Sequence, residues 1–194
     1  WQPSGFFDKV ASRTDWPNYA GGLAYKRPRN DGIPSGVNLP TFLQSSTLTW
    51  PGQHAGALGP TYDPWQITKD PNKADFEVAN LSLAPGIDLQ RLESRHTLVS
   101  RLNKQQDRLS STHVAQRMTS EQHLAYSILS SRKLARAFEL KHEKDSLRDH
   151  YGRHTYGQSL LLARRLVEVG VPIVQVNMGA VQTWDNHSNI FKTL

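Results

Sequence analysis

The feature that constrains this chain most is a succession of three events near its C-terminal end: a helical pattern, a glycine and a run of branched apolar residues. From Ser159 to Val169 the apolar residues Leu162, Leu166 and Val169 recur at helical spacing, and Gly170 stands where a helix closes in a left-handed cap. Val171-Pro172-Ile173-Val174-Gln175-Val176 follows at once. A strand so nearly continuous in apolar side chains has no face left for water, as expected of one interior to a parallel sheet. The expectation is a helix over 156–169 feeding a strand over 171–177, with Ile173, Val174 and Val176 buried. Helix, cap and buried strand make an α/β unit, and in open α/β sheets ligands gather beyond the carboxyl ends of the strands. The polar segment that begins at Asn177 is therefore placed for function.

Upstream, Leu92, Val99, Leu102 and Leu109 fall on one face of an amphipathic helix over 88–109. A second helix is expected over 118–140, opened by the Thr119 and Gln122 capping pair and continued through Leu124, Ile128, Ala135 and Phe138. Residues 1–75 are rich in Pro, Gly, Trp and Asn, with turn signals at Asp31-Gly32, Pro51-Gly52 and Asp63-Pro64. They read as long ordered loops interrupted by one short strand at 36–40. A second strand is expected at 76–81 from its alternation. The organisation is thus a single domain, loop-rich over 1–75 and α/β over 76–194.

Composition narrows the partners. With 194 residues, 37% hydrophobic and 21% charged, the chain has the make-up of an ordinary soluble protein, and no apolar run approaches the roughly 20 residues of a membrane helix. The net charge of +6 invites a nucleic-acid reading. Its distribution argues otherwise. Residues 91–165 carry fifteen Lys or Arg against seven Asp or Glu, and acids such as Glu93, Asp107, Glu139 and Asp149 interleave with the cations. That is the pattern of a solvated helical surface, although a polyanion-binding helical module stays open as a rival class. The absence of cysteine removes disulfides and thiolate metal sites, and does not separate compartments. Trp1-Gln2-Pro3-Ser4 lacks the pattern of a secretion signal, so the true start is expected upstream or removed, and an exported or periplasmic location stays open.

Three groups of residues could carry chemistry. Asp185 and His187 lie two apart just beyond the expected strand; a carboxylate and an imidazole are suitable ligands for a divalent ion, and Asp185 is equally suited to cap a helix starting at Asn186. His54, in Gly52-Gln53-His54-Ala55-Gly56, sits on a loop that could reach a substrate or merely satisfy a turn. Arg164 and Arg165 could bind an anionic ester, but their mid-helix position favours a solvated face or an ion pair.

The stretches Tyr151-Gly152-Arg153-His154-Thr155-Tyr156-Gly157-Gln158-Ser159, Leu162-Ala163-Arg164-Arg165-Leu166-Val167-Glu168-Val169-Gly170-Val171 and Trp184-Asp185-Asn186-His187 resemble the family called domain of unknown function 1501. Asp15-Trp16-Pro17, Pro51-Gly52-Gln53-His54-Ala55-Gly56-Ala57-Leu58-Gly59, Tyr62-Asp63-Pro64-Trp65 and Asp70-Pro71 resemble it too, so the likeness covers nearly the whole chain. The resemblance implies membership of the alkaline phosphatase and sulfatase superfamily, with a three-layer α/β/α sandwich that is incomplete in this chain. It further implies hydrolysis of phosphate or sulfate esters, on small molecules or polysaccharides, with a divalent metal such as zinc, calcium, magnesium or manganese held by Asp185 and His187. The family pattern has Thr where Asn186 stands and Gly where Ser188 stands, and neither departure touches the candidate ligands. Its Gly-Glu-Phe-Gly-Arg-Thr and Arg-Asp-His-Trp motifs do not occur in this chain. Two protein ligands are fewer than a catalytic zinc takes, so residues 1–194 are expected to be a central fragment, inactive alone. A noncatalytic binding or assembly protein that keeps the hydrolase fold is the alternative.

Overall fold

The Leu166-to-Val171 junction folds as its sequence suggests. A computed structural model describes residues 15–45, 48–78 and 132–178, together with helical residues 90, 91, 93–95, 97 and 98. Its elements in chain order are α1 (Tyr19–Lys26), β1 (Gly36–Leu39), β2 (Gln44–Ser45), β3 (Leu48–Thr49), β4 (Trp65–Gln66), α2 (Arg132–Phe138), α3 (Asp145–Tyr151), α4 (Thr155–Glu168) and β5 (Ile173–Val176). At the end of α4, Gly170 N–H donates to Val167 O at 3.0 Å and Val171 N–H to Leu166 O at 3.0 Å. These paired bonds form a Schellman closure, with Gly170 at φ 102°. Here glycine is required, because an L side chain is strained at that φ.

β1, β4 and β5 form a parallel sheet in the order β4-β1-β5. The register sets Gly36 opposite Ile173 and Leu39 opposite Val176, with Val37 opposite Trp65 on the other side. β2 and β3 pair antiparallel as a separate ribbon. The fully buried strand is β1, which lies in the middle. β5 is at an edge of the sheet among the described residues, and Ile173, Val174 and Val176 are half-buried rather than buried. Among the described residues the apolar run pairs on one side, with β1, and its side chains are half-buried where burial was expected.

The two faces of β1 do different things because side chains alternate across a strand. Val37 and Leu39 point into the main core, where they meet Leu134, Phe138, Leu161, Leu162 and Leu166 from α2 and α4. Leu161, Leu162 and Leu166 are all 0% exposed; burying each such side chain contributes about 1.5–3 kcal/mol. On the opposite face Gly36 lets α1 approach so closely that an added Cβ would lie 2.2 Å from the Ala20 Cβ. Helices thus cover both faces of this mixed α/β unit.

Other differences from the sequence reading have local causes. Residues 76–78 form no strand, because Phe76 N–H closes a turn onto Lys73 O while Phe76 and Val78 pack against the core; 79–81 lie outside the described residues. Within 1–75, α1 and β4 stand where only loops and the 36–40 strand were expected. Of the helix over 118–140, only Arg132–Phe138 is described; it gives way to a 3-10 turn, Leu140–His142. Helical residues between 90 and 98 fall in the expected 88–109 helix. No helix of the described residues is long and apolar enough to cross a membrane.

Candidate functional site

The strands end their carboxyl sides in a cluster of buried amides. Asn177, immediately after β5, donates its backbone N–H to Leu39 O at 2.7 Å, which ties it to the end of β1. Its Nδ2 donates to Thr41 O at 2.7 Å and to Gln53 Oε1 at 3.2 Å, and its Oδ1 accepts from Gln175 Nε2 at 2.7 Å. Gln53 is 0% exposed. Its Nε2 donates to Leu43 O and Trp50 O, each at 2.8 Å, and its Oε1 accepts from Leu43 N–H. Its carbonyl accepts from Asn38 Nδ2 at 3.2 Å and from Asn18 Nδ2 at 3.0 Å. Asn38 lies on β1, on the face opposite Val37 and Leu39; Asn18 caps α1, its Oδ1 accepting Gly21 N–H at 2.6 Å.

Buried polar groups of this kind are costly unless paired, so a satisfied network fixes one arrangement of the loops that share it. Asp15 clamps the same loop from outside: its Oδ2 accepts Gly52 N–H at 2.8 Å and its carbonyl accepts Ala57 N–H at 3.2 Å. The loop 50–57 is thereby bonded to α1, β1 and the exit of β5 at once. The arrangement is a rigid rim around the carboxyl edge of the sheet, and a ligand bound there would meet positions set before it arrives.

His54 sits in this rim. Its carbonyl accepts Asn18 N–H at 2.9 Å, and its ring lies beside Phe42 with centroids 5.2 Å apart. His54 Nδ1 is 3.5 Å from Asp63 Oδ2, while Asp63 Oδ1 accepts Ala55 N–H at 2.8 Å. The His54 side chain is 35% exposed. Among the described residues no three His, Cys, Asp or Glu side chains converge as a metal-holding group.

Asp185 and His187 lie outside the described residues; the last described positions before them are Asn177 and Met178. Arg164 and Arg165 are at the other end of the sheet, because their part of α4 leads into the amino end of β5. Arg164 is exposed and pairs with Glu168 at 2.8 Å, whose hydrogen bond raises the guanidinium's basicity further. Arg165 is mostly covered: it donates to Ala137 O at 2.7 Å and to Arg136 O, and pairs with Glu143, so it ties α4 to α2. Both are engaged in ion pairs, as an ion-pair reading expects. Tyr156 and Gly157 belong to the start of α4, where His154 Nδ1 accepts Gly157 N–H at 3.2 Å.

Sequence reasoning gave no role to Asn18, Asn38, Gln53 or Asp15, read Asp63 only as part of a turn signal, and took Asn177 only as the start of a polar segment. Their partners stand up to 136 positions away, so no local spacing points to them. Asp15, Gln53 and Asp63 also fall in the motif stretches quoted for the family likeness.

Residues 11–194 match the model of the family described as Protein of unknown function (DUF1501). No curated protein and no solved structure matches the chain.

Proposed function

Because the chain belongs to the DUF1501 family, we propose that it is the central part of a divalent-metal-dependent hydrolase of phosphate or sulfate esters, built on an alkaline phosphatase-like α/β/α sandwich. The observation that carries this reading is the pinning of Asn177 to Leu39 O, Thr41 O and Gln53 at the carboxyl edge of the sheet. The segment that leaves Asn177 contains Asp185 and His187, eight and ten positions on. In parallel sheets this is the edge at which ligands bind.

Asp185 and His187 fit a divalent ion by donor chemistry, a carboxylate oxygen and an imidazole nitrogen. The metal would polarise the ester oxygen and stabilise charge as it develops on the departing group. Two donors are fewer than such a site takes, so in this reading the remaining ligands and the nucleophile come from flanking sequence, and residues 1–194 alone neither hold the ion tightly nor turn over. The rim keeps loop 50–57 in place and orders the approach to the ester. Basic residues between 91 and 165 play no specific nucleic-acid role in this reading, since acids interleave with them.

The test is metal analysis of the purified protein with its flanking sequence, beside Asp185→Ala, His187→Ala and Arg164→Ala, with circular dichroism to check folding. The first two variants should lose metal and the hydrolysis of an aryl phosphate or aryl sulfate, and the third should keep its metal. Full occupancy in both site variants would show Asp185 to be a helix cap. A metal-loaded protein that cleaves neither ester class is a binding or assembly protein on the same fold.

A further inference from the structure

Loop 50–63 contains a pair of groups that metal ligation does not use. Asp63 is bound to the loop of His54 by a backbone bond one residue away, because its Oδ1 takes Ala55 N–H at 2.8 Å. Its other oxygen, Oδ2, then stands 3.5 Å from His54 Nδ1. On the His54 side, the carbonyl takes Asn18 N–H at 2.9 Å, the neighbouring Gln53 is fully buried, and Phe42 flanks the ring. The carboxylate is therefore held to the imidazole's own loop, one residue from His54, while that loop is tied to Asn18.

We propose that Asp63 is a positioning residue that keeps the proton of neutral His54 on Nδ1, so that Nε2 faces the ligand at the carboxyl edge and acts as the general base. An ionised carboxylate can only accept, so the nitrogen beside it is the one that bears hydrogen. The remaining nitrogen then carries the lone pair. A separation of 3.5 Å exceeds a formed N–H···O bond of about 2.7–3.2 Å, and such contacts commonly shorten only when substrate is bound.

The substrate class, an anionic ester, and the facing of Nε2 toward it rest on the hydrolase reading; the placing of the proton on Nδ1 rests on the 3.5 Å approach of Asp63 Oδ2. In the step, the Nε2 lone pair forms a new N–H bond as the O–H bond of a water or hydroxyl breaks. The O–H electron pair stays on the oxygen that attacks the ester. His54 becomes cationic, and Asp63 remains ionised beside it, as the third group of a nucleophile–base–orienter arrangement does.

The experiment is imidazole nitrogen NMR on the protein with its flanking sequence, labelled at histidine, with His54→Gln identifying the signals. Neutral His54 should be in the Nδ1–H form. Asp63→Asn keeps an oxygen for Ala55 N–H but turns an NH₂ toward Nδ1, and should move the proton to Nε2. An Nε2–H form in the parent protein, or no change in Asp63→Asn, overturns the assignment. In hydrolysis of an aryl phosphate or sulfate, His54→Gln should lower kcat by about 10²-fold. A loss under about twofold overturns the base role. The tautomer is read without metal or ester, so the two readings fail separately. The wrong tautomer defeats the dyad alone, and undiminished metal in Asp185→Ala and His187→Ala defeats the hydrolase reading alone.

Discussion

Replacing Gln53 by Leu tests whether the amide cluster holds the rim. Leucine matches glutamine closely in size, so the substitution removes hydrogen bonds with little change in packing. Three backbone groups lose their partner, Leu43 N–H, Leu43 O and Trp50 O, while Asn177 Nδ2 loses one acceptor and keeps Thr41 O. A buried group left unpaired costs about 1–3 kcal/mol. Leu43 and Trp50 are only half-buried, so water reaches them in part and the low end applies, about 3 kcal/mol for the three. Burying an apolar side chain in place of an amide offsets roughly 1 kcal/mol of this, leaving a net loss of about 2 kcal/mol. With a urea slope near 2 kcal/mol/M, the unfolding midpoint should fall by about 1 M. Gln53→Glu sharpens the test, because it sets a carboxylate oxygen against two carbonyls and should destabilise more. Burial and those carbonyls raise the new carboxyl's folded-state pKa, so its stability deficit should shrink as pH falls. A Leu variant whose midpoint stays within about 0.2 M of the parent's would refute the reasoning, since the cluster would then be ornament to loops held by other means.

Two further outcomes follow from the geometry. Gly157→Ala would place a Cβ 2.1 Å from Tyr151 O and 2.6 Å from Gly152 O, and should cost about 3 kcal/mol by shifting the start of α4, whereas Gly22→Ala meets nothing within 4 Å and should gain up to about 1 kcal/mol in α1; thermal unfolding of both variants checks the contrast. The Arg29 guanidinium hydrogen-bonds Asp31 and lowers that carboxyl's pKa. A depressed folded-state value contributes stability above the unfolded pKa of about 3.9 and loses it as pH falls through the folded value. NMR titration should find Asp31 ionised below the ordinary range, with Arg29→Gln restoring it; the effect on stability is small and screened by salt, because the pair is exposed.

How much of this could be read from sequence depended on how local the cause was. The α4–Gly170–β5 junction was legible because its periodicity, its cap and its apolar run occupy one continuous stretch. The 36–40 strand was legible too, but its central place was not: what makes β1 interior is pairing with residues 65 and 66 on one side and 173–176 on the other. α1 went unseen because Gly21 and Gly22 weaken helix propensity, while the structure needs Gly21 for close contact with Ala55. α3 was hidden by charge: of Asp145–Tyr151, only Leu147 and Tyr151 join the core packing. His54 was singled out from a glycine-containing loop, yet Asp63 read only as a turn signal before Pro64. The pairing of the two depends on the backbone bond to Ala55, which spacing does not disclose.

The rim at the carboxyl edge has one more consequence. Asn18, Asn38, Gln53 and Asn177 carry no charge at any ordinary pH, and they are sealed from counter-ions. Bonds among them do not titrate and are hardly screened. Whatever acid, base or salt does to this protein's activity, these bonds will transmit little of it. A pH profile or salt dependence measured at this edge therefore reports on the ionisable groups set into the rim and on the ligand itself, with the amide frame as a silent background.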